Sequence, residues 1–325
     1  MQAEQIEAAS LAIQTELSRA NWIAIFSHVR PDGDAVGSLL GLGLALRAAG
    51  KQVTMVLEDG VPHIFRHLKG SDTVRRSLKQ AVDLVITVDC SDIQRAGAVL
   101  GEQIPDINID HHVSNLEFAR HNLVIGDSVA TCAILAEYLP VWGYTIDLPV
   151  AEALLTGNVT DTIGFRTNNV TAQALRLAAN LIDVGANLPD LYMRALVNKS
   201  YEAARYWGAG LEKLQREDGL VWTTLSLQDR QQAQYPGNDD ADLVNLLSSV
   251  ESTIAVIFVE QKSGQVKVSW RARPGYDVSQ IALQFGGGGH TAASGADIAG
   301  SLEEVQQQVL EATRAMLASA KRPTH

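Results

Sequence analysis

The chain has 325 residues, 46% hydrophobic and 19% charged, with a formal net charge of −11 at neutral pH. That is the balance of an ordinary globular protein, and the length exceeds what one core usually organises, so two domains are expected. The acidic balance speaks against a protein that grips long duplex DNA, which shows a basic face to the phosphates. No apolar run reaches transmembrane length; residues 39–46 are apolar but short and glycine-rich. Residues 1–5 lack the basic start and apolar core of a signal peptide, so a cytoplasmic location without a membrane partner is expected. The two cysteines, Cys90 and Cys132, suggest neither a disulfide framework nor a thiolate zinc site. An acidic protein handles phosphate when bound cations supply local positive charge, which favours small or short phosphorylated substrates.

In chain order, Ile6, Ile13 and Leu17 at helical spacing predict an opening helix over residues 4–20. A buried strand follows at 22–27, then a turn over 28–34 and a helix over 35–49 closed by Gly50. Strands are expected at 52–57, 83–88, 106–109 and 122–125, with a short helix at 75–80. This alternation predicts an α/β, doubly wound parallel sheet. Helical patterns then run over 129–138, 149–159, 171–183, 189–197 and 201–214. Beyond Gly219 come strands at 220–227, 253–260 and 265–270, the last two forming a hairpin, and helices at 277–284 and 302–318. The expected layout is therefore a first domain over 1–190, a helical linker over 191–218 and a smaller α+β domain with a mixed sheet over 219–325.

Ligands of open α/β sheets gather at the carboxyl ends of the strands. Three predicted strands end in residues able to bind metal. The first delivers His28, Asp32 and Asp34, the third Asp89, and the fourth Asp110, His111 and His112. Asp161 follows a helical stretch and could close the site. A single strand-end aspartate is often only a helix cap or turn former, and a single histidine is often a core residue. Three of the chain's eight histidines at strand ends beside aspartates make that reading a poor one for the set. Imidazole with several carboxylates and no thiolate suits Mn²⁺, Fe²⁺ or Zn²⁺. Three histidines and five aspartates exceed one tetrahedral zinc but suffice for two octahedral ions sharing a carboxylate. Two such ions, roughly 3.5–4 Å apart, serve in-line displacement at phosphorus. Downstream, the run Gly286–Gly289 ahead of His290 would let a phosphate approach backbone N–H groups. It follows a helix rather than a strand, which argues against a dinucleotide fingerprint or P-loop. Arg271 and Arg273 end the preceding strand, and Arg166 follows Asp161; each suits phosphate and each could equally be solvated.

The ordered set His28-Val-Arg-Pro-Asp32-Gly-Asp34-Ala-Val-Gly37-Ser38, Val88-Asp89, Asp110-His111-His112 and Asp161 resembles the four motifs of the DHH phosphoesterase superfamily. Ser269-Trp270-Arg271 and Gly286-Gly-Gly-Gly-His290 resemble its DHHA1 substrate domain. Together they span nearly the whole chain in order, and the compact form looks most like the NrnA group of oligoribonucleases (nanoRNases) and 3′-phosphoadenosine 5′-phosphate (pAp) phosphatases. The resemblance implies a parallel DHH domain followed by a DHHA1 domain, and two Mn²⁺ ions, with Mg²⁺ or Co²⁺ as substitutes. His28, Asp32 and Asp89 would hold one ion; Asp34, Asp89, His111 and Asp161 the other, with Asp89 bridging. Asp110 would orient a ligand histidine. His112 would face the substrate phosphate or assist from behind the ligands, and Asn115 would help position the substrate. Arg271, Gly288, Gly289 and His290 would bind the far phosphate or terminal nucleotide. The implied activity is Mn²⁺-dependent hydrolysis of short oligonucleotides to 5′-mononucleotides, with pAp phosphatase activity alongside. A homodimer is compatible with it.

Two alternatives stay open on sequence. One is a cyclic-di-AMP or linear dinucleotide (pApA) phosphodiesterase with the same metal chemistry. The other, of a different class, is a nucleotide-binding regulatory module without turnover, against which the intact acidic set argues. A DHH-type pyrophosphatase is disfavoured by the glycine–histidine motif, and a processive RecJ-like exonuclease by the acidic charge and the absence of added domains.

Overall fold

A computed structural model describes residues 3–320 apart from residue 102, and leaves the side chains of His290 and Ala320 undescribed. The chain divides into two compact units, Met1–Asn198 and Lys199–His325.

The first unit is an α/β layer structure. Its elements are α1 (Ala3–Arg19), β1 (Trp22–Phe26), α2 (Gly33–Ala48), β2 (Gln52–Val56), β3 (Leu84–Val88), β4 (Ile107–Asp110), β5 (His121–Val124), α3 (Thr131–Val141), α4 (Leu148–Asp161), α5 (Ala172–Asp183) and α6 (Leu188–Tyr192). The strands form one parallel sheet in the order β2-β1-β3-β4-β5. Both faces are covered, so the strands are apolar throughout rather than alternating with polar residues. Ile23 and Ile25 of β1 enter the main core with α2, α3 and α4. Ala24 and Phe26 face a smaller core under the 90–100 segment. The chain leaves β1 for β2 on one side and returns to β3 on the other. The order therefore reverses between β1 and β3, the place where open α/β sheets leave a crevice beyond their carboxyl ends.

Helices α2 and α4 approach unusually closely because glycines line the contact. A Cβ on Gly37 would lie 2.5 Å from the Ala153 carbonyl oxygen, and one on Gly157 would lie 2.8 Å from Asp34 Oδ1. This is what sets Asp34 and Asp161, at opposite ends of the two helices, against one another's neighbourhood.

The second unit contains α7 (Tyr201–Glu212), β6 (Gln215–Glu217), β7 (Leu220–Leu225), α8 (Leu227–Ala233), α9 (Leu243–Leu247), β8 (Ile254–Glu260), β9 (Gln265–Ala272), α10 (Ser279–Gln284), β10 (Gly288–His290), β11 (Ala293–Ala299) and α11 (Leu302–Ala320). Its six-stranded sheet, β10-β11-β9-β8-β7-β6, is mixed, parallel only between β7 and β8. Strand β8 divides its side chains between two cores: Val256 and Phe258 pack with α11, Ala255 and Ile257 with α7 and α9. Among the described residues, no helix is long and apolar enough to cross a membrane.

The parallel α/β unit and the mixed second sheet agree with the sequence expectation. Some local expectations do not hold. Residues 75–80 are not helical. Arg75 instead bridges the edge of β2, its N–H donating to Met55 O at 2.8 Å and its carbonyl accepting from Leu57 N at 2.9 Å. A short helix is marginal alone, and the open strand edge offers better partners. The expected turn over 28–34 is shorter, because α2 already begins at Gly33. Strands β10 and β11 are not among the expected elements: the second half of the glycine run is β10, paired with β11, so Gly288 and Gly289 lie opposite Gly295 and Ser294. The expected helix over 189–197 is α6 followed by a wider π-helical turn, Met193–Val197.

Candidate metal centre

The predicted ligands converge at the carboxyl end of the first sheet. Ser27-His28 leaves β1, Asp89 leaves β3, and Asp110 closes β4. Asp32 is the N-cap of α2, its Oδ1 accepting from Asp34 N at 3.1 Å and Ala35 N at 3.0 Å. Asp34 lies in the first turn of that helix, and Asp161 is the last residue of α4. Three overlapping groups have ligand atoms all within 4.8 Å of one another: His28, Asp32 and Asp89; Asp34, His111 and Asp161; and Asp89, His111 and His112.

Asp89 joins these groups. It is buried, and its two oxygens face different partners. Oδ2 lies 3.4 Å from His28 Nε2, while Oδ1 lies 3.7 Å from His111 Nε2 and accepts the Thr131 hydroxyl at 3.1 Å. Its backbone is left-handed, with φ of 55°, an unfavourable conformation for a residue with a Cβ. Two side-chain amides anchor the next peptide: Asn108 Nδ2 and Asn115 Nδ2 each donate to Cys90 O at 3.1 Å.

The histidine rings are oriented from behind. His28 Nδ1 is 2.9 Å from Val29 O and His111 Nδ1 is 3.3 Å from Ser128 O, so each ring can donate there and turn its Nε2 toward the carboxylates. His111 Nε2 lies 3.9 Å from Asp34 Oδ2 and 3.4 Å from Asp161 Oδ2. His112 differs. Its Nδ1 donates to Asp110 Oδ1 at 2.7 Å. Asp110 also accepts His111 N at 2.9 Å and Asn115 Nδ2 at 2.5 Å. The Asn115 amide is thus committed to Asp110, to Cys90 and, through Oδ1, to the Glu117 N–H at 2.7 Å.

The sequence reading did not include two further supports. The N–H groups at the start of α3, which have no partner within the helix, bind the Asp34 carboxylate, Thr131 N donating to Oδ2 at 2.6 Å and Cys132 N to Oδ1 at 2.9 Å. A threonine at a helix start with no side-chain cap of its own was the only signal for this. Ser128 contributes a backbone carbonyl, which no side-chain pattern reveals.

The electrostatics call for a cation. Burial, reinforced by the charges of Asp89 and Asp161, pushes the Asp34 carboxyl well above its ordinary range. Burial, with Asp89 and Asp32, does the same to Asp161. Asp161 also sits at a helix C-terminus, where the helix dipole disfavours an anion. Burial would lower His28, but hydrogen bonding to Asp32 and Asp89 outweighs it and raises it to about 10. Burial would raise Asp89, yet the His28 hydrogen bond and the neighbouring histidines hold it below the usual carboxylate range. His112 is likewise raised to about 9, its burial outweighed by the bond to Asp110. Carboxylates this close and this buried are held together by protons or by a metal. The donor set, imidazole nitrogens and carboxylate oxygens without thiolate, fits hard or borderline divalent ions.

In the second unit, Arg271 is largely enclosed. Its Nε donates to Asn245 Oδ1 at 3.2 Å and its Nη1 to Trp270 O at 3.0 Å. Register places Arg271 opposite Ala293, and Ala293 opposite His290, so the three share one row across β9, β11 and β10. The His290 side chain lies outside the described residues. Gly289 is required by contact: a Cβ there would lie 2.6 Å from Ala293 O, at a φ of 141°.

Comparison with known proteins identifies the family and the fold. Residues 22–158 match the DHH family, N-terminal domain, and residues 235–319 match the DHHA1 domain. The chain is 35% identical to the bifunctional oligoribonuclease and PAP phosphatase NrnA of Thermus thermophilus, over 92% of this chain and 91% of that protein. The fold is that of an exopolyphosphatase-related protein from Bacteroides fragilis, with a TM-score of 0.90 at 24% identity over 97% of this chain and 98% of that one. It also matches RecJ of Thermus thermophilus, solved with Mn²⁺, with a TM-score of 0.60 at 14% identity over 99% of this chain and 56% of that one. With its ligand-bearing parallel sheet and its mixed second sheet, the chain belongs to the DHH family of phosphoesterases, in the form that carries a DHHA1 domain.

Proposed function

We propose that this protein is a metal-dependent phosphodiesterase that hydrolyses short oligonucleotides (nanoRNA) to 5′-mononucleotides and also dephosphorylates pAp, using two Mn²⁺ ions. The single observation that carries this is Asp89, whose two buried oxygens face two separate ligand sets. The two activities in the name of the Thermus thermophilus relative support the substrate class. In this reading residues 1–190 form the catalytic domain and 219–325 the substrate-binding domain, joined through the mainly helical residues 191–218, which end in β6.

His28, Asp32 and Asp89 would hold one ion, and Asp34, Asp89, His111 and Asp161 the other; when bound, the pair would polarise a phosphoryl oxygen and lower the pKa of water toward neutrality. The chain's own residues do the rest. Asp110 fixes the proton of His112 on Nδ1, and the raised affinity of that ring for a second proton makes Nε2–H a charged donor to the substrate phosphate. Asn115 acts behind Asp110. In the second unit, Arg271 meets a distal phosphate with its outer guanidinium edge, and Gly288, Gly289 and His290 complete that contact.

The test is a Mn²⁺-dependent hydrolysis panel from pAp through pApA and cyclic di-AMP to long oligonucleotides. Short linear substrates and pAp are expected to be turned over, with loss in chelator and in Asp89→Ala. Activity that survives chelation or that substitution refutes the metal mechanism. A preference for cyclic di-AMP refutes the substrate assignment.

A further inference from the structure

A cavity of about 500 Å³ opens beside the ligand cluster within the first unit. His28 and Asp32 of the ligand cluster line it, together with Arg30, Asp92, Gln94 and Arg95. That volume exceeds the need of a metal ion and suits a phosphate with part of a nucleoside. Two turns build it, and their backbones are pinned. Val29 N donates to Arg95 O at 2.7 Å, which ties the β1–α2 turn to the turn after β3. Arg30 is held left-handed, φ 55°, with its N–H donating to Asp59 Oδ2 at 2.6 Å. Asp92 caps the turn Ile93–Ala96, its Oδ1 accepting Gln94 N at 2.9 Å.

The charges of the cavity are unequal in what they offer a ligand. The lining carboxylates are engaged by backbone donors, Asp32 by the start of α2 and Asp92 by Gln94. The Arg95 guanidinium is exposed, and its contact is with a neutral hydroxyl, Ser91 Oγ, at a long 3.4 Å. Arg30 adds a second positive charge and Gln94 an amide. Surface arginines are common, but here two of them line one cavity together with two of the candidate metal ligands, His28 and Asp32.

We propose that this cavity is a second phosphate subsite, which takes a phosphate of the substrate other than the one cleaved. In a short oligonucleotide this is a terminal phosphomonoester, at the end opposite to the one that Arg271 would meet. Arg95 is its main donor, through the planar fork that arginine offers phosphate oxygens. The inference rests on the phosphodiesterase reading and adds to it a substrate-charge preference set by the first unit.

The test compares ApA with pApA and ApAp as substrates for the Mn²⁺-loaded protein and for Arg95→Gln, Arg95→Lys and Arg271→Gln. The wild-type protein is expected to show a lower KM for one of the phosphorylated dinucleotides than for ApA, by roughly tenfold or more for a charge-assisted contact. Arg95→Gln removes most of that ratio, and Arg95→Lys restores part of it. Mn²⁺ uptake followed by electron paramagnetic resonance remains as in the wild type. A ratio unchanged in Arg95→Gln but lost in Arg271→Gln refutes the subsite, as does a wild-type protein indifferent to the terminal phosphate. Loss of Mn²⁺ uptake in Arg95→Gln also refutes it, since Arg95 would then support the metal ligands. Failure of the wild-type protein to cleave any of the three dinucleotides refutes the phosphodiesterase reading itself.

Discussion

Replacing Asp110 by asparagine keeps the shape of the side chain and removes what it does. The carboxylate is fully buried and accepts three donors: His111 N and His112 Nδ1 on Oδ1, Asn115 Nδ2 on Oδ2. An amide in its place presents NH₂ to at least one of them. The better orientation keeps the oxygen toward the two histidine donors and sets NH₂ against Asn115 Nδ2. Asn115 cannot resolve the clash by flipping without breaking its bonds to Cys90 O and Glu117 N. One buried donor is left unsatisfied, costing about 1–3 kcal/mol. For a domain the size of the first unit each kcal/mol lowers Tm by about 2–4 °C. His112 also loses its anionic partner while its burial remains. Its proton affinity in chelator-treated protein then falls from about 9, with only the more distant Asp89 left to oppose burial. The sign follows: a histidine raised in the folded state contributes stability that is fully present below pH 6.5 and lost as pH rises through about 9. The Tm difference between wild type and Asp110→Asn is therefore widest in mild acid and narrows at alkaline pH. Hydrolysis falls on the order of 10²-fold or more, as for removal of one charged donor at a reacting centre. The assays are an NMR titration of the His112 ring, thermal melts across pH, and Mn²⁺-dependent turnover of a dinucleotide. An unshifted His112 titration together with wild-type turnover would refute the proposed role of the pair.

Three further outcomes are expected. Gly157→Ala places a methyl 2.8 Å from Asp34 Oδ1 and against Cys132, so it costs about 1–3 kcal/mol and weakens Mn²⁺ binding together; a variant with unchanged Tm and Mn²⁺ affinity would show that α2 and α4 separate freely. Mn²⁺ affinity rises with pH toward about 10, because the ion must displace the proton that Asp32 and Asp89 hold on His28 and those that burial favours on Asp34 and Asp161. Calorimetry in buffers of different ionisation enthalpy reads the released protons, and pH-independent binding would contradict it; at 100 times Kd each bound ion adds about 2.7 kcal/mol of stability. Asn245→Ala frees Arg271 Nε and raises the KM for a phosphorylated dinucleotide a few-fold, roughly the worth of one net hydrogen bond. Unaltered KM would show that the Trp270 carbonyl alone orients Arg271.

Much of this protein is legible without coordinates. Strand periodicity, the residues that follow each strand and the ordered motifs identify a parallel sheet whose ends carry His28, Asp89 and Asp110-His111-His112. Those signals survive because they are local: a strand shows its own apolar run, and the residue after it is necessarily at the sheet's edge. Tertiary structure decided the rest. The helix expected at 75–80 became a bridge to β2, since long-range hydrogen bonds at an open strand edge outweigh the propensity of a few residues. The glycine run became a strand only because β11, absent from the sequence reading, lies alongside it. The amide of Asn115 turned to Asp110, Cys90 and Glu117, and the start of α3 came to hold Asp34 from 97 residues away in sequence. Sequence alone determined which residues can bind metal; which oxygen of Asp89 faces which histidine, and what orients each ring, depends on close packing and buried hydrogen bonds between segments far apart in the chain.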